Sequence, residues 1–221
     1  MPDRPPEPPS TGDDSPLDFD PTRSMELVWK GQKGDAEAVN ELLGRYAARM
    51  LRVIRIKIPQ SMRRLIEPED VLQETLLVAS RKLGELEIRT PSSILSWMAR
   101  IAELQIKSQL EYHSAQKRDP RREQPLGKDS SDSTDGAGVI VPHRGPTASQ
   151  YLAHNELEAR VDSEIQALEP PEYREVLVMR DYLEADWETI QQHFGRPNER
   201  AARELYERAR RRLRERLARY L

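Results

Sequence analysis

Cysteine is absent from this chain. That excludes disulfides and thiolate metal sites and is compatible with a reducing compartment. Aromatic residues make up only 5% of the sequence, with two phenylalanines, and β-branched runs are few, so an extensive sheet is not expected. No stretch approaches the ~18 apolar residues that a membrane span needs. Met1–Asp20 is acidic and rich in proline, without the apolar centre of a signal peptide or anchor. The expectation is a soluble, cytoplasmic protein with no membrane partner.

Catalytic constellations are equally scarce. His113, His143, His154 and His193 lie far apart and lack metal-ligand spacing. Gly31-Gln32-Lys33-Gly34 does not have the frame of a phosphate-binding loop. Glu69, Asp70 and Glu74 could act as acid or base only beside a partner group, and the sequence supplies none. Acids at a helix start are accounted for by the positive end of the helix dipole. The reading calls for no metal, no cofactor, no catalytic residue and no small-molecule substrate, and an enzyme is not expected.

What is present is charge, sorted along the chain. Charged residues make up 33% of the 221 positions and hydrophobic ones 37%, which suits two modest cores better than one thick core. Residues 1–22 read as a disordered, acidic, Pro-rich tail. A second Pro-, Gly- and Ser-rich stretch, 117–150, is too long for a structureless loop inside one compact domain and reads as a flexible linker. The expected fold class is therefore all-α, with two small helical domains at 23–116 and 151–221.

In the first domain Asp35 can cap a helix carrying Val39, Leu42, Leu43, Tyr46, Met50, Val53 and Ile54 at helical spacing. Pro68 suits the first turn of the next helix. Leu72, Leu76, Ala79 and Leu83 would be its buried stripe, leaving Asp70, Gln73, Glu74, Leu77 and Arg81 on the other side. Gly84–Ser93 reads as a loop. A third helix, from about Ser93 to Gln116, would turn Ile94, Trp97, Met98, Ile101 and Leu104 inward. It gathers Arg100, Lys107, Tyr112, Lys117 and Arg118, a mixture of cations and aromatics that suits unstacked single-stranded bases. Trp97 lies on the apolar stripe and reads as core.

The second domain has four helical stretches, near 151–168, 171–183, 187–194 and 199–219. Asp186 and Asn198 can cap the last two, on either side of a break at Gly195-Arg196-Pro197. Arg196–Leu221 holds ten arginines against four glutamates, a net of +6, whereas Glu156–Gly195 holds eleven acids against three arginines, a net of −8. A short helix, a Gly-containing turn and a longer basic helix form a helix-turn-helix pattern and point to a polyanionic partner. Trp187, Ile190 and Phe194 would pack on Ala202, Leu205 and Ala209. Asn198, Glu199, Arg200, Arg203, Glu204, Glu207 and Arg208 would face DNA: arginine can bond guanine in bidentate fashion and glutamate can accept from cytosine. An ordinary antiparallel helix pair with a solvated basic face is the competing reading.

At this point the residues resemble a family. Glu69-Asp70-Val71-Leu72-Gln73-Glu74-Thr75-Leu76, then Ser96-Trp97-Met98-Ala99-Arg100-Ile101-Ala102, are similar to signature stretches of bacterial RNA polymerase sigma factors. Tyr173–Arg180, Trp187-Glu188-Thr189-Ile190 and Phe194-Gly195 resemble the helix-turn-helix of the same family, in the expected order. The layout resembles the small two-domain extracytoplasmic-function (ECF) type, and Tyr112–Glu123 is similar to a subgroup abundant in planctomycetes.

The resemblance implies a factor that binds core RNA polymerase and directs promoter-specific transcription initiation. Asp70, Gln73, Glu74, Leu77 and Arg81 would dock on the polymerase. Arg100, Lys107, Tyr112, Lys117 and Arg118 would engage and melt the −10 element, and the helix from Asn198 would read the −35 element of promoter DNA. An anti-sigma factor is a further partner that the family allows. This chain departs from the family pattern at Leu104 and Ser108, where Asn and Asp are frequent, and at Glu184 and Gln191, where Gly and Ala are common. One extra residue also separates Gly195 from Tyr206–Ala209. The alternative is a stand-alone helix-turn-helix regulator, which would have no need of the acidic face in the first domain.

Overall fold

The computed structural model describes residues 21–86, 91–118 and 148–220. The chain is all-α: the described residues form eight α-helices with short 3-10 and π turns, and no strand occurs among them. The first helix, α1 (Pro21–Gln32), has no counterpart in the sequence expectation. It starts inside the expected tail and buries Ser24, Leu27 and Val28 while leaving Trp29 exposed. So short an apolar stripe carries little periodic signal. Arg23 ties it to the next helix through a two-armed contact with Glu41, at 3.0 and 2.8 Å.

Helix α2 (Ala36–Lys57) is the centre of the first bundle. Asp35 caps it as expected, its carboxylate accepting from the Ala38 amide at 3.0 Å. The expected stripe is buried at Leu42, Leu43, Tyr46, Met50, Val53 and Ile54, and burial extends to Ala47 and Ile56. That broad burial follows from α2 touching α1, α3, α4 and α5.

Helix α3 (Pro68–Lys82) begins with Pro68 in its first turn and has Glu69 and Asp70 at its positive end. Its buried stripe runs through Val71, Thr75, Leu76, Ala79 and then Leu83. Leu72, expected at the centre of that stripe, is only half-buried, because the contact centre lies one position earlier. Buried Thr75 satisfies its hydroxyl by donating to the Val71 carbonyl at 2.7 Å.

Helix α4 (Pro91–Arg118) begins two residues before the expected start and runs two beyond the expected end. Residues 87–90 of the expected loop lie outside the described residues. Ile94, Met98 and Ile101 are buried as expected, together with Leu95, Ala99, Ala102 and Ile106. Leu104 corrects the expectation: at 59% exposure it points outward. The inward face from Ile101 continues through Ala102 to Ile106, which leaves Leu104 on the opposite side.

Residues 119–147 of the expected linker lie outside the described residues. The second bundle comprises α5 (Ala148–Gln166), α6 (Pro171–Leu177), a π turn over Val178–Tyr182, α7 (Trp187–His193) and α8 (Glu199–Leu217). Helix α5 thus starts within the last three positions of the expected linker. The bundle core contains Ile165, Leu168, Val176, Leu177, Val178, Met179, Leu183, Ile190, Ala202, Leu205 and Ala209. Far along α8, Arg216 donates to Glu164 at 2.6 Å and the Tyr220 hydroxyl donates to the same carboxylate at 2.8 Å, fastening the end of the chain to α5. No described helix is long and apolar enough to cross a membrane.

Candidate nucleic-acid and protein interfaces

Helices α7 and α8 meet through a turn that the sequence builds residue by residue. Asp186 caps α7, accepting from the Thr189 amide at 2.7 Å. Hydrogen bonds from that amide and from the Thr189 side chain hold the Asp186 carboxyl below the usual carboxylate range. Gly195 ends the helix at φ +57°, a conformation with no Cβ penalty for glycine. The Arg196 amide then donates back to the Gln191 carbonyl at 2.9 Å. Asn198, in extended conformation, starts α8 by accepting from the Ala201 amide at 2.9 Å.

The seam between the two helices is apolar at its centre. Ile190, Ala202, Leu205 and Ala209 are buried, and Trp187 and Phe194 pack partly buried against them, as the pattern of small and large residues predicts. Trp187 meets Tyr206 edge to face, with ring centroids 5.5 Å apart. The guanidinium groups of Arg180 and Arg203 lie 4.6 and 4.7 Å from the Trp187 ring centroid. The Tyr206 hydroxyl donates to Asp181 at 2.5 Å. Burial and that bond push the Tyr206 phenol up to about 12, so it stays a hydrogen-bond donor throughout the physiological range. Burial raises the Asp181 carboxyl as well. The pitch of α8 against its neighbours is thus fixed by one apolar seam and one hydrogen bond at its edge. Gln191, one of the departures, is half-buried and faces partly outward.

The outer face of α8 carries the expected contact residues. Glu199, Arg200, Arg203, Glu204, Glu207 and Arg208 are all exposed, Arg200 with 87% of its side chain free. Arg200, Arg203, Glu204, Glu207, Arg208 and Arg211 line one shallow open cleft. Arg200 pairs with Glu204 and Arg203 with Glu199, each at 3.1 Å and one helical turn apart. Exposed pairs of this kind contribute roughly 0.3–0.5 kcal/mol, little enough to exchange for contacts with bases or phosphates. Asn198 stands at the head of the row with its side-chain oxygen engaged in the cap.

On α4, Arg100, Lys107 and Tyr112 are exposed, Tyr112 at 60%, and exposed Leu104 lies among them. Tyr112 meets His113 edge to face at 5.4 Å, and Lys107 lies 3.8 Å from Glu111. Lys117 and Arg118 fall in the last turn of α4, with side chains outside the described set. Trp97 is half-buried against the core, as its place on the apolar stripe predicts. On α3, Asp70, Gln73, Glu74 and Arg81 are exposed and Leu77 is half-buried, so the five form a polar face with an apolar centre. Among the described residues no group of three or more His, Asp or Glu side chains could hold a metal ion.

Sequence reasoning missed the Trp187–Arg203 and Trp187–Arg180 contacts and the Tyr206–Asp181 bond. Their signal was available only in part: Trp187 was placed on the side of α7 that faces α8, but no spacing rule brings Tyr206, Arg180 or Asp181 to these contacts.

No protein-family model matches this chain, and no curated protein matches it in sequence. Among solved structures its fold is similar to that of CnrH, in a structure of CnrH in complex with the cytosolic domain of CnrY. The TM-score is 0.50 at 18% identity, over 89% of this chain and 97% of that one. The likeness extends over both bundles and is a likeness of fold.

Proposed function

We propose that this protein is a sigma factor of the extracytoplasmic-function type, which binds core RNA polymerase and directs promoter-specific initiation. The observation that carries the reading is the pairing of two unlike surfaces on one all-α chain: a capped helix-turn-helix with a row of exposed arginines on α8, and the polar face of α3. The signature-like segments at Glu69–Leu76 and Tyr173–Gly195 support it, and the fold, similar to that of CnrH, is compatible with it. The stretch Tyr112–Glu123 favours the planctomycete-abundant subgroup.

In this reading Asp70, Gln73, Glu74, Leu77 and Arg81 dock on the polymerase, where a half-buried leucine ringed by polar groups can form the dry centre of a small contact. Helix α8 enters the major groove at the −35 element. Glu199, Arg200, Arg203 and Glu204 lie in its first two turns and meet base edges; Glu207, Arg208 and Arg211 lie further along, where the arginines meet phosphates. Arg100, Lys107, Tyr112, Lys117 and Arg118 of α4 hold the opened −10 strand, the cations on its backbone and Tyr112 against a base. No bond is made or broken by this chain; the polymerase does the chemistry. Each DNA contact alone is weak. Carrying both on one polymerase raises the effective concentration of the second once the first is made.

The test is transcription in vitro with purified core polymerase and a promoter library. Start sites that depend on the added protein are expected. Changing Gln73→Ala together with Glu74→Lys is expected to abolish polymerase co-purification while helix content stays unchanged. Tight, sequence-specific duplex binding without polymerase, with no start-site selection, would replace this reading with that of a stand-alone regulator.

A further inference from the structure

Arg200 and Arg203 lie one turn apart on α8 and both are exposed, yet they are held differently. Arg200 has 87% of its side chain free and pairs with Glu204, one turn further along. Arg203 has an acid one turn to either side, Glu199 before it and Glu207 after it. It pairs with Glu199 at 3.1 Å, and its guanidinium also lies over the Trp187 ring, 4.7 Å from the centroid. Glu207 lies instead 4.0 Å from Arg210.

The ring is itself fixed. Trp187 is the first residue of α7, directly after the Asp186 cap. A second guanidinium, that of Arg180, lies 4.6 Å from the ring centroid and is tied down by donating to the Ala185 carbonyl at 2.8 Å. Tyr206 meets the indole edge to face at 5.5 Å, and its hydroxyl is held by Asp181 at 2.5 Å. The π turn, α7 and α8 therefore combine to place an indole, and the indole restrains a side chain that has much rotamer freedom of its own.

An exposed cation over an aromatic ring gains a factor of about two to five in its equilibrium. An exposed pair one turn apart gains a factor of about two. Glutamate ahead of arginine is the better order on a helix, so pair and ring pull Arg203 the same way, towards the N-terminal end of α8. In a helix-turn-helix that is the end whose side chains meet base edges. Without the ring, only a weak pair keeps Arg203 there, and Glu207 competes from the other side.

We infer that Trp187 is a positioning residue for Arg203. It keeps the guanidinium at the groove-entering end of α8, so that Arg203 passes to a base edge by a short path with part of its ordering cost already met. Trp187 acts through Arg203 and not on the DNA. The contact stands on the geometry alone; the reading step rests on the proposed function.

Ring currents give a readout that needs no promoter. In nuclear magnetic resonance of the full-length protein, the Arg203 side-chain protons, assigned by their loss in Arg203→Ala, are expected upfield of ordinary arginine. They should return to ordinary positions in Trp187→Leu and stay shifted in Trp187→Phe. Unshifted protons in the parent protein would overturn the positioning. With core polymerase, transcription from promoters altered at each −35 position identifies the base that Arg203→Ala stops distinguishing. Trp187→Leu is expected to lower discrimination at that position about two- to fivefold, with the other positions unchanged, and Trp187→Phe to retain most of it. In the Arg203→Ala protein, Trp187→Leu should change nothing further there. Urea unfolding checks that each variant folds, and Trp187→Met takes the place of a leucine variant that does not. Equal loss on every promoter, or a further loss of discrimination in the Arg203→Ala protein, would make Trp187 a packing residue only and overturn the inference. A parent protein that selects no start sites would sink the proposed function, and the reading role with it, while the ring contact stands.

Discussion

Replacing Glu184 by glycine separates two opposed effects that meet in one residue. The left-handed backbone at φ +55° costs a side chain roughly 1–2 kcal/mol. Glycine avoids that cost but loses about 0.5–1 kcal/mol through the greater freedom of its unfolded chain. The balance favours glycine by about 0.5–1 kcal/mol for the second bundle alone. Against this stands the ion pair with Arg49, whose two side chains are 20% and 40% exposed; a pair of that exposure contributes about 0–1 kcal/mol. In the parent chain, then, Glu184→Gly should change stability little. In an Arg49→Ala background, where the pair is already gone, the same change should stabilise by about 0.5–1 kcal/mol. Urea unfolding of the four full-length proteins of this cycle, followed by circular dichroism, measures both numbers and their difference. If Glu184→Gly destabilises the Arg49→Ala protein by more than about 1 kcal/mol, the left-handed residue is not strained and the reasoning fails.

Arg203→Ala should weaken promoter recognition by ~1–3 kcal/mol on sequences carrying the preferred −35 base and by much less on others; equal loss on every promoter would make it a phosphate contact. Ile190→Ala removes a fully buried side chain from the α7–α8 seam and should cost about 2–5 kcal/mol in chemical denaturation. Asn198→Ala should cost ~1 kcal/mol through loss of the α8 cap, read from the same unfolding curves. Asp186 supplies a pH test. Its folded pKa lies below the ordinary value, so its contribution is full above about pH 4 and disappears as pH falls through the folded value. Asp162 and Asp181, raised by burial, act with the opposite sign. The difference between parent and Asp186→Asn melting temperatures, measured from pH 6 to pH 3, isolates the Asp186 part and should shrink towards acid.

The parts of the fold that were legible in the sequence are those fixed by single residues acting locally. Asp35, Asp186 and Asn198 each cap the helix that their position predicts, Pro68 opens α3 and Gly195 ends α7 in the left-handed conformation. The face of α8 was legible too, because arginines and small residues alternate there at helical spacing. Helix α1 was not, since Leu27 and Val28 provide almost its entire apolar signal. Leu104 was misplaced for a related reason: an apolar residue near the edge of a stripe can fall on either side, and the packing of Ile106 decided it. The contacts between the two bundles were out of reach altogether. Arg52 and Asp162 stand 110 residues apart, and nothing in the periodicity of either helix announces the other.

Two guanidinium groups held close to the Trp187 ring give the protein a native optical reporter. The chain has three tryptophans, and Trp187 has the side chain of a proposed base reader, Arg203, as one of its lids. If Arg203 swings from the indole to a base edge, that ring loses a neighbouring cation and gains a changed solvent boundary, and its emission must respond. Occupancy of the groove can therefore be followed as a colour change in unlabelled protein, with Trp29→Phe and Trp97→Phe removing the background.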